Sequence, residues 1–141
     1  MLGKDKNDIF PSPVECESGW SRHHNKCLKF FGASASWITA KDHCAGLNSY
    51  LPSIHSNEKI HLLEKLAVSG TLLGFWVGGR LGADLVNFVW VDKSMFDLEK
   101  WAKHEKNWYG SCIQVRGDQK WNYFACKEKL PYICEKTLLG T

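Results

Sequence analysis

The sequence predicts an α+β domain, and three observations carry that expectation. Two stretches in the first half repeat apolar residues at helical spacing. From residue 72 onward the pattern changes to short runs rich in aromatic and β-branched residues, which read as strands. Helices followed by a set of strands read as α+β. Third, six cysteines stand at 16, 27, 44, 112, 126 and 134. None of them forms a C-x-x-C pair, so the count reads as three disulfides made in an oxidising compartment, not as a zinc or redox site. At the level of residues alone, every pairing of the six remains open.

The elements follow in order. Residues 1–15 hold Pro11 and Pro13 among mixed charges without periodicity, and read as a flexible leader. Gly19-Trp20 and Lys26 to Phe31 read as two short strands around a polar turn at His23-His24-Asn25. A Cys16–Cys27 bridge across that hairpin is geometrically natural. Ser34 or Ser36 caps the first helix, with Trp37, Ala40, Cys44 and Leu47 as its buried stripe and Gly46/Asn48 as its end. A second helix starts near Ser56. Glu58 favours its first turn, Ile60, Leu63, Leu66 and Ala67 form its apolar face, and Gly70 is its stop. Strands are expected at 75–79, 86–91, 112–115, 121–124 and 132–134. The polar stretch from 92 to 111 is long for a compact domain, and loops of that kind are commonly functional.

Composition narrows the function. The 141 residues suit one domain, and 44% apolar with 23% charged residues excludes a disordered or coiled-coil chain. No apolar run approaches the roughly 18 residues of a membrane span, so no direct membrane insertion is expected. The polar opening segment is not a signal peptide, and an exported protein would have lost its leader. The net charge of +3 is spread without a Lys/Arg cluster, which argues against a nucleic-acid partner. The six histidines make no H-E-x-x-H, and no nucleophile motif or carboxylate pair stands at catalytic spacing. The expectation is a non-enzyme.

Gly19-Trp20, Lys26-Cys27, Trp37 with Cys44, Trp76-Val77-Gly78-Gly79, Trp90-Val91-Asp92, Trp101, Cys112, Trp121-Asn122, Cys126 and Pro131-Tyr132-Ile133-Cys134-Glu135 occur in that order. The ordered set resembles a C-type lectin-like domain over Cys16 to Glu135, about 85% of the chain. The resemblance implies two helices packed on short antiparallel sheets with a long polar loop region. It sets the domain at 16–136 with a short tail at 137–141. It also implies the bridges Cys16–Cys27, Cys44–Cys134 and Cys112–Cys126. Trp37, Trp76, Trp90, Trp101 and Trp121 then become packing residues. Trp108 beside Tyr109 has no period to bury it, and is the leading contact candidate.

Sugar-binding members of that family hold a calcium ion, which takes about 6–8 oxygen ligands. The matching triplet here is Glu105-Lys106-Asn107, with Lys in place of the central Pro. Gly110-Ser111 precede Cys112 without a carboxylate, and Tyr123 follows Asn122 where an Asp is usual. Glu105, Asn107 and Asn122 are too few charges for tight binding, so no cofactor is expected. Asp84, Asp92, Asp97 and Glu99 read as surface acids, not an auxiliary site. The ligand-binding set is Glu105, Asn107, Trp108, Tyr109, Arg116, Asn122 and Tyr123. The implied role is an extracellular recognition module for a glycan or glycoprotein, with weak or no calcium dependence. The alternative is a protein-binding effector or receptor ectodomain of the immune-receptor or venom type.

Overall fold

Polar His24 and Asn25 turn the chain between β1 (Ser21–His23) and β2 (Lys26–Ala35), with His24 in the left-handed region at φ 56. The computed structural model describes residues 15–67, 74–101, 110–116 and 120–138. β2 runs four residues past the apolar run that marks it in the sequence, because it pairs with β7 (Leu130–Thr137) from Lys26↔Thr137 to Ala35↔Leu130. Long-range pairing of this kind leaves no local signal. β7 itself extends to Thr137, and Leu138 is buried at 6% exposure, so the fold reaches into the expected tail.

Ser36 is the N-cap of α1 (Trp37–Gly46), its hydroxyl accepting from the Thr39 amide at 3.3 Å. Trp37, Ala40 and Cys44 are buried as the spacing requires, while Leu47 is the half-buried C-cap residue. Ser56 caps α2 (Asn57–Leu66) in the same way, through the Lys59 amide at 3.1 Å. Ile60, Leu63 and Ala67 are buried and Leu66 is half-buried. The expected stop at Gly70 lies outside the described residues.

β3 (Phe75–Leu81), β4 (Phe88–Trp90), β5 (Cys112–Val115) and β6 (Trp121–Phe124) complete the strands. The expected α+β architecture is present, and its strands join in one seven-stranded network of order β1-β2-β7-β3-β5-β6, with β4 on β3. β7 is antiparallel to β2, and that direction leaves it parallel to β3 at Trp76↔Tyr132. The sheet is therefore mixed.

Two apolar clusters hold it. One gathers Ile60 and Leu63 of α2 with Val77, Trp90, Ile113, Trp121 and Ile133. The other gathers Trp37, Ala40 and Cys44 of α1 with Leu51, Trp76, Leu130 and Cys134. Trp37, Trp76, Trp90 and Trp121 are each at most 2% exposed. A buried aromatic removes on the order of 200 Å² from water, about 5 kcal/mol as an upper figure. The Trp37 indole donates to the Val77 carbonyl at 2.9 Å, and the Trp76 indole to the Ala35 carbonyl at 2.8 Å. Gly78 and Gly79 are required between them: a Cβ would stand 2.5 Å from the Leu51 carbonyl oxygen at one and 2.3 Å from Ile113 Cδ1 at the other.

The bridges are Cys16–Cys27, Cys44–Cys134 and Cys112–Cys126, with Cα separations of 5.6, 5.4 and 5.3 Å. Cys44–Cys134 closes 90 positions of chain and joins α1 to β7. Beside it Glu135 is buried at 1% exposure. Lys59 Nζ faces its Oε1 at 2.8 Å as an ion-pair partner without an aligned hydrogen bond, donating instead to the Ser53 carbonyl at 3.2 Å. Lys26 stands 3.8 Å from Oε2. Burial works against the Lys26 charge, but Tyr50 and Glu135 outweigh it and hold its pKa above the usual lysine value.

Candidate functional site

The long stretch after β4 is tied down by residues that its lack of periodicity conceals. Phe96 stacks on Trp90 with ring centroids 4.7 Å apart, and Phe96, Leu98 and Trp101 pack on the α2 cluster. The Trp121 amide donates to the Lys100 carbonyl at 2.8 Å, drawing Trp101 alongside β6. Trp101 meets Trp121 and Tyr123 edge-on at 5.5 and 4.4 Å. Its indole nitrogen donates to Glu99 Oε1 at 2.7 Å.

These contacts shape a polar-lined hollow of about 410 Å³. Phe88, Trp101 and Tyr123 form its aromatic wall, and Asn87 and Glu99 bring a carboxamide and a carboxylate. Tyr123 is only 7% exposed, with its ring stacked on Phe88 at 4.9 Å, so it presents an edge to the hollow and no open face. Burial, with a smaller effect of the Glu99 charge, raises the Tyr123 phenol above its ordinary pKa.

Asn122 has its neighbours' opposite orientation, as strand alternation requires. It is 3% exposed, and both its side-chain polar atoms are buried without a hydrogen-bond partner among the described residues. Arg116 is exposed just past β5, with its amide bonded to the Lys120 carbonyl at 3.1 Å. The fold therefore brings Tyr123 to the hollow and leaves Asn122 and Arg116 elsewhere. Glu105, Asn107, Trp108 and Tyr109 lie outside the described residues.

A calcium ion finds a poor donor set among the described residues. Asn122 offers one neutral amide oxygen, Ser111 precedes Cys112, and no group of three His, Cys, Asp or Glu side chains converges there. The four acids weighed for an auxiliary site hold protein donors. Asp84 Oδ1 accepts from the Val86 and Asn87 amides at 2.9 and 3.0 Å, closing the β3–β4 turn and lowering its pKa, chiefly through Asn87. Glu99 holds the Trp101 indole.

Asp92 and Asp97 belong to a constellation that sequence spacing did not reveal. His55 Nδ1 is 2.8 Å from Asp97 Oδ1, and its Nε2 is 2.9 Å from Ser94 Oγ. That is the contact order of an acyl-transfer triad. The chemistry is otherwise. Ser94 donates its hydroxyl to Asp92 Oδ1 at 2.5 Å and its amide to the same oxygen at 2.9 Å. The proton a base would take is committed to a carboxylate, and so is the amide that would otherwise be free for an oxyanion. With Ser53 on Asp92 Oδ2 at 2.5 Å, the set is a clamp tying the 92–97 segment to the chain before α2. Burial pushes the Asp92 carboxyl up, but the bonds from Ser53 and Ser94 outweigh it and hold it below the usual range. The bond to His55 does the same for Asp97.

Comparison with known proteins places this architecture. The family model described as the lectin C-type domain matches residues 33–136. Ladderlectin of Oncorhynchus mykiss is 32% identical over 83% of this chain and 65% of its own length. The chain thus spans just under two thirds of that relative. The alpha-N-acetylgalactosamine-specific lectin of Patiria pectinifera is 31% identical over 82% of this chain and 77% of its own. Among solved structures, the cow carbohydrate-recognition domain of CD23 superposes with a TM-score of 0.79 at 29% identity, covering 89% of this chain and 98% of that one. With the three bridges, the ordered tryptophans and the mixed sheet already accounted for, the chain belongs to the C-type lectin domain family.

Proposed function

We propose that this recognition module acts outside the cell and binds a glycan or glycoprotein through the hollow, with weak or no dependence on calcium. The observation that supports the reading best is the hollow's composition. Phe88 and Trp101 in its wall give apolar surface for a pyranose ring, Tyr123 adds its edge, and Asn87 and Glu99 suit the sugar hydroxyls. The Patiria pectinifera relative, named as specific for alpha-N-acetylgalactosamine, points to the same ligand class. Among the described residues, no group of three His, Cys, Asp or Glu side chains converges to bridge protein and sugar through calcium, which supports the weak dependence.

Thermal melts of the disulfide-intact protein test this, with galactose, N-acetylgalactosamine or mannose, each in calcium and in chelator. A sugar binding only the folded state at 100 times its dissociation constant adds about 2.7 kcal/mol. The expected result is an equal rise in Tm with and without calcium, reduced in Glu99→Gln. A rise seen only with calcium, or none with any sugar, overturns the proposal.

A further inference from the structure

A second concavity, of about 480 Å³, adjoins the hollow along Phe88 and Phe96, which line both. Its chemistry is different. The floor is apolar, formed with Val89, Trp90 and Val91, and Val89 is 45% exposed within it. The walls carry Lys41 of α1, Arg80 of β3 and Lys93 of the following segment, and among the described residues no acidic side chain lines it. Among the described residues, Lys41 shares its charge with Asp42 at 3.7 Å. No ion pair within 4 Å engages Arg80 or Lys93 there. The Arg80 guanidinium lies over the Trp37 ring at 5.7 Å, which holds it at the groove. Lys93 is fixed by a left-handed backbone at φ 68 and by its amide bond to the Trp90 carbonyl at 2.9 Å.

A sugar would need directional partners, and the groove has one short polar side chain. That is Ser94, whose hydroxyl is already held between Asp92 and His55. Apolar surface instead extends outward from the groove. Met95, between two lining residues, is 75% exposed, and Ile38, one turn before Lys41 on α1, is 49% exposed. β4 also pairs only with β3 among the described residues, which leaves a sheet edge beside the groove. An extended chain can add to such an edge.

We infer that this groove docks an acidic protein segment that inserts an apolar side chain between Val89 and Phe96 while its carboxylates face Arg80 and Lys93. Charge complementarity and the apolar floor carry the assignment. It does not depend on the hollow binding sugar.

The test is a titration of the ¹⁵N-labelled, disulfide-intact protein with three capped hexapeptides, followed by amide chemical shifts. The probes are Glu-Glu-Phe-Leu-Glu-Glu, the same peptide with Gln for every Glu, and the same with Gly-Ser for Phe-Leu. The expected result is saturable shifts clustered at residues 41, 80 and 88–96 with the first peptide only. Binding should be at least tenfold weaker in the Arg80→Glu/Lys93→Glu variant and in Val89→Ser. Unchanged melting of the charge variant keeps a loss of binding distinct from a loss of fold. Equal shifts with the Gln peptide, shifts confined to other residues, or no saturable shifts would overturn the inference. So would stronger binding of a heparin hexasaccharide or phosphatidylserine vesicles at the same residues.

Discussion

Phe96 lies in a segment with no helical or strand period, yet its ring is stacked on Trp90 and meets Trp121 edge-on at 5.6 Å. Phe96→Ala is expected to cost about 2–3 kcal/mol, below the range for a fully buried phenylalanine because Phe96 is half-buried. Chemical denaturation measures it, and a cost under 1 kcal/mol would show that the ring is not seated. Asp92 gives a second prediction at this scale. Its carboxyl is held below the unfolded value near 3.9. Its contribution is therefore complete above about pH 4 and lost as pH falls through the lower folded value. Asp92→Asn should lower stability at pH 7 by about 1–2 kcal/mol, a discounted figure for a part-exposed carboxylate, and flatten the melting profile below pH 4. A variant with the same acid slope as the parent would place that slope elsewhere.

At the level of elements, local rules worked where local rules apply. Ser36 stands one residue before Trp37 with extended backbone at ψ 161, and it, not Ser34, caps α1. Ser36→Ala should cost about 1 kcal/mol, and Ser34→Ala within about 0.5, by the shift in denaturation midpoint. Equal costs would mean that α1 starts elsewhere. The helices were legible in sequence because caps and apolar stripes are local. The extent of β2 and the parallel β3–β7 contact were not, since both depend on which distant strand arrives beside them. The same reason hid the clamp: His55 and Asp97 are 42 positions apart, and nothing in either neighbourhood announces the other. Of the expected contact residues, alternation along β6 separates Asn122 from Tyr123, and stacking on Phe88 covers the ring that sequence alone reads as open.

For the molecule as a whole, the bridges differ in what they restrain. Cys44–Cys134 closes 90 positions and Cys16–Cys27 closes 11. In the chain-entropy account the longer loop stabilises more, about 4–5 kcal/mol for one of that size. Replacing both cysteines of the long bridge by alanine should therefore lower Tm further than replacing those of the hairpin bridge. The reverse order would assign the larger share of stability to the hairpin. The long bridge has a mechanical consequence too. β2 and β7 lie antiparallel, with Lys26 opposite Thr137, so a pull on the two ends of the domain opens that pair like a zipper. Opening from the β7 side halts at Cys134, and from the β2 side it proceeds no further than Cys44. From there the tension passes through the sulfur–sulfur bond. Everything between those cysteines, the whole of the hollow and the Val89–Phe96 floor of the groove included, carries no load, while Lys41 and the Trp37 ring under Arg80 precede Cys44 and lie on the loaded side. A module tethered in flow or between surfaces therefore keeps its hollow intact while the α1 wall of the groove gives way with the margins.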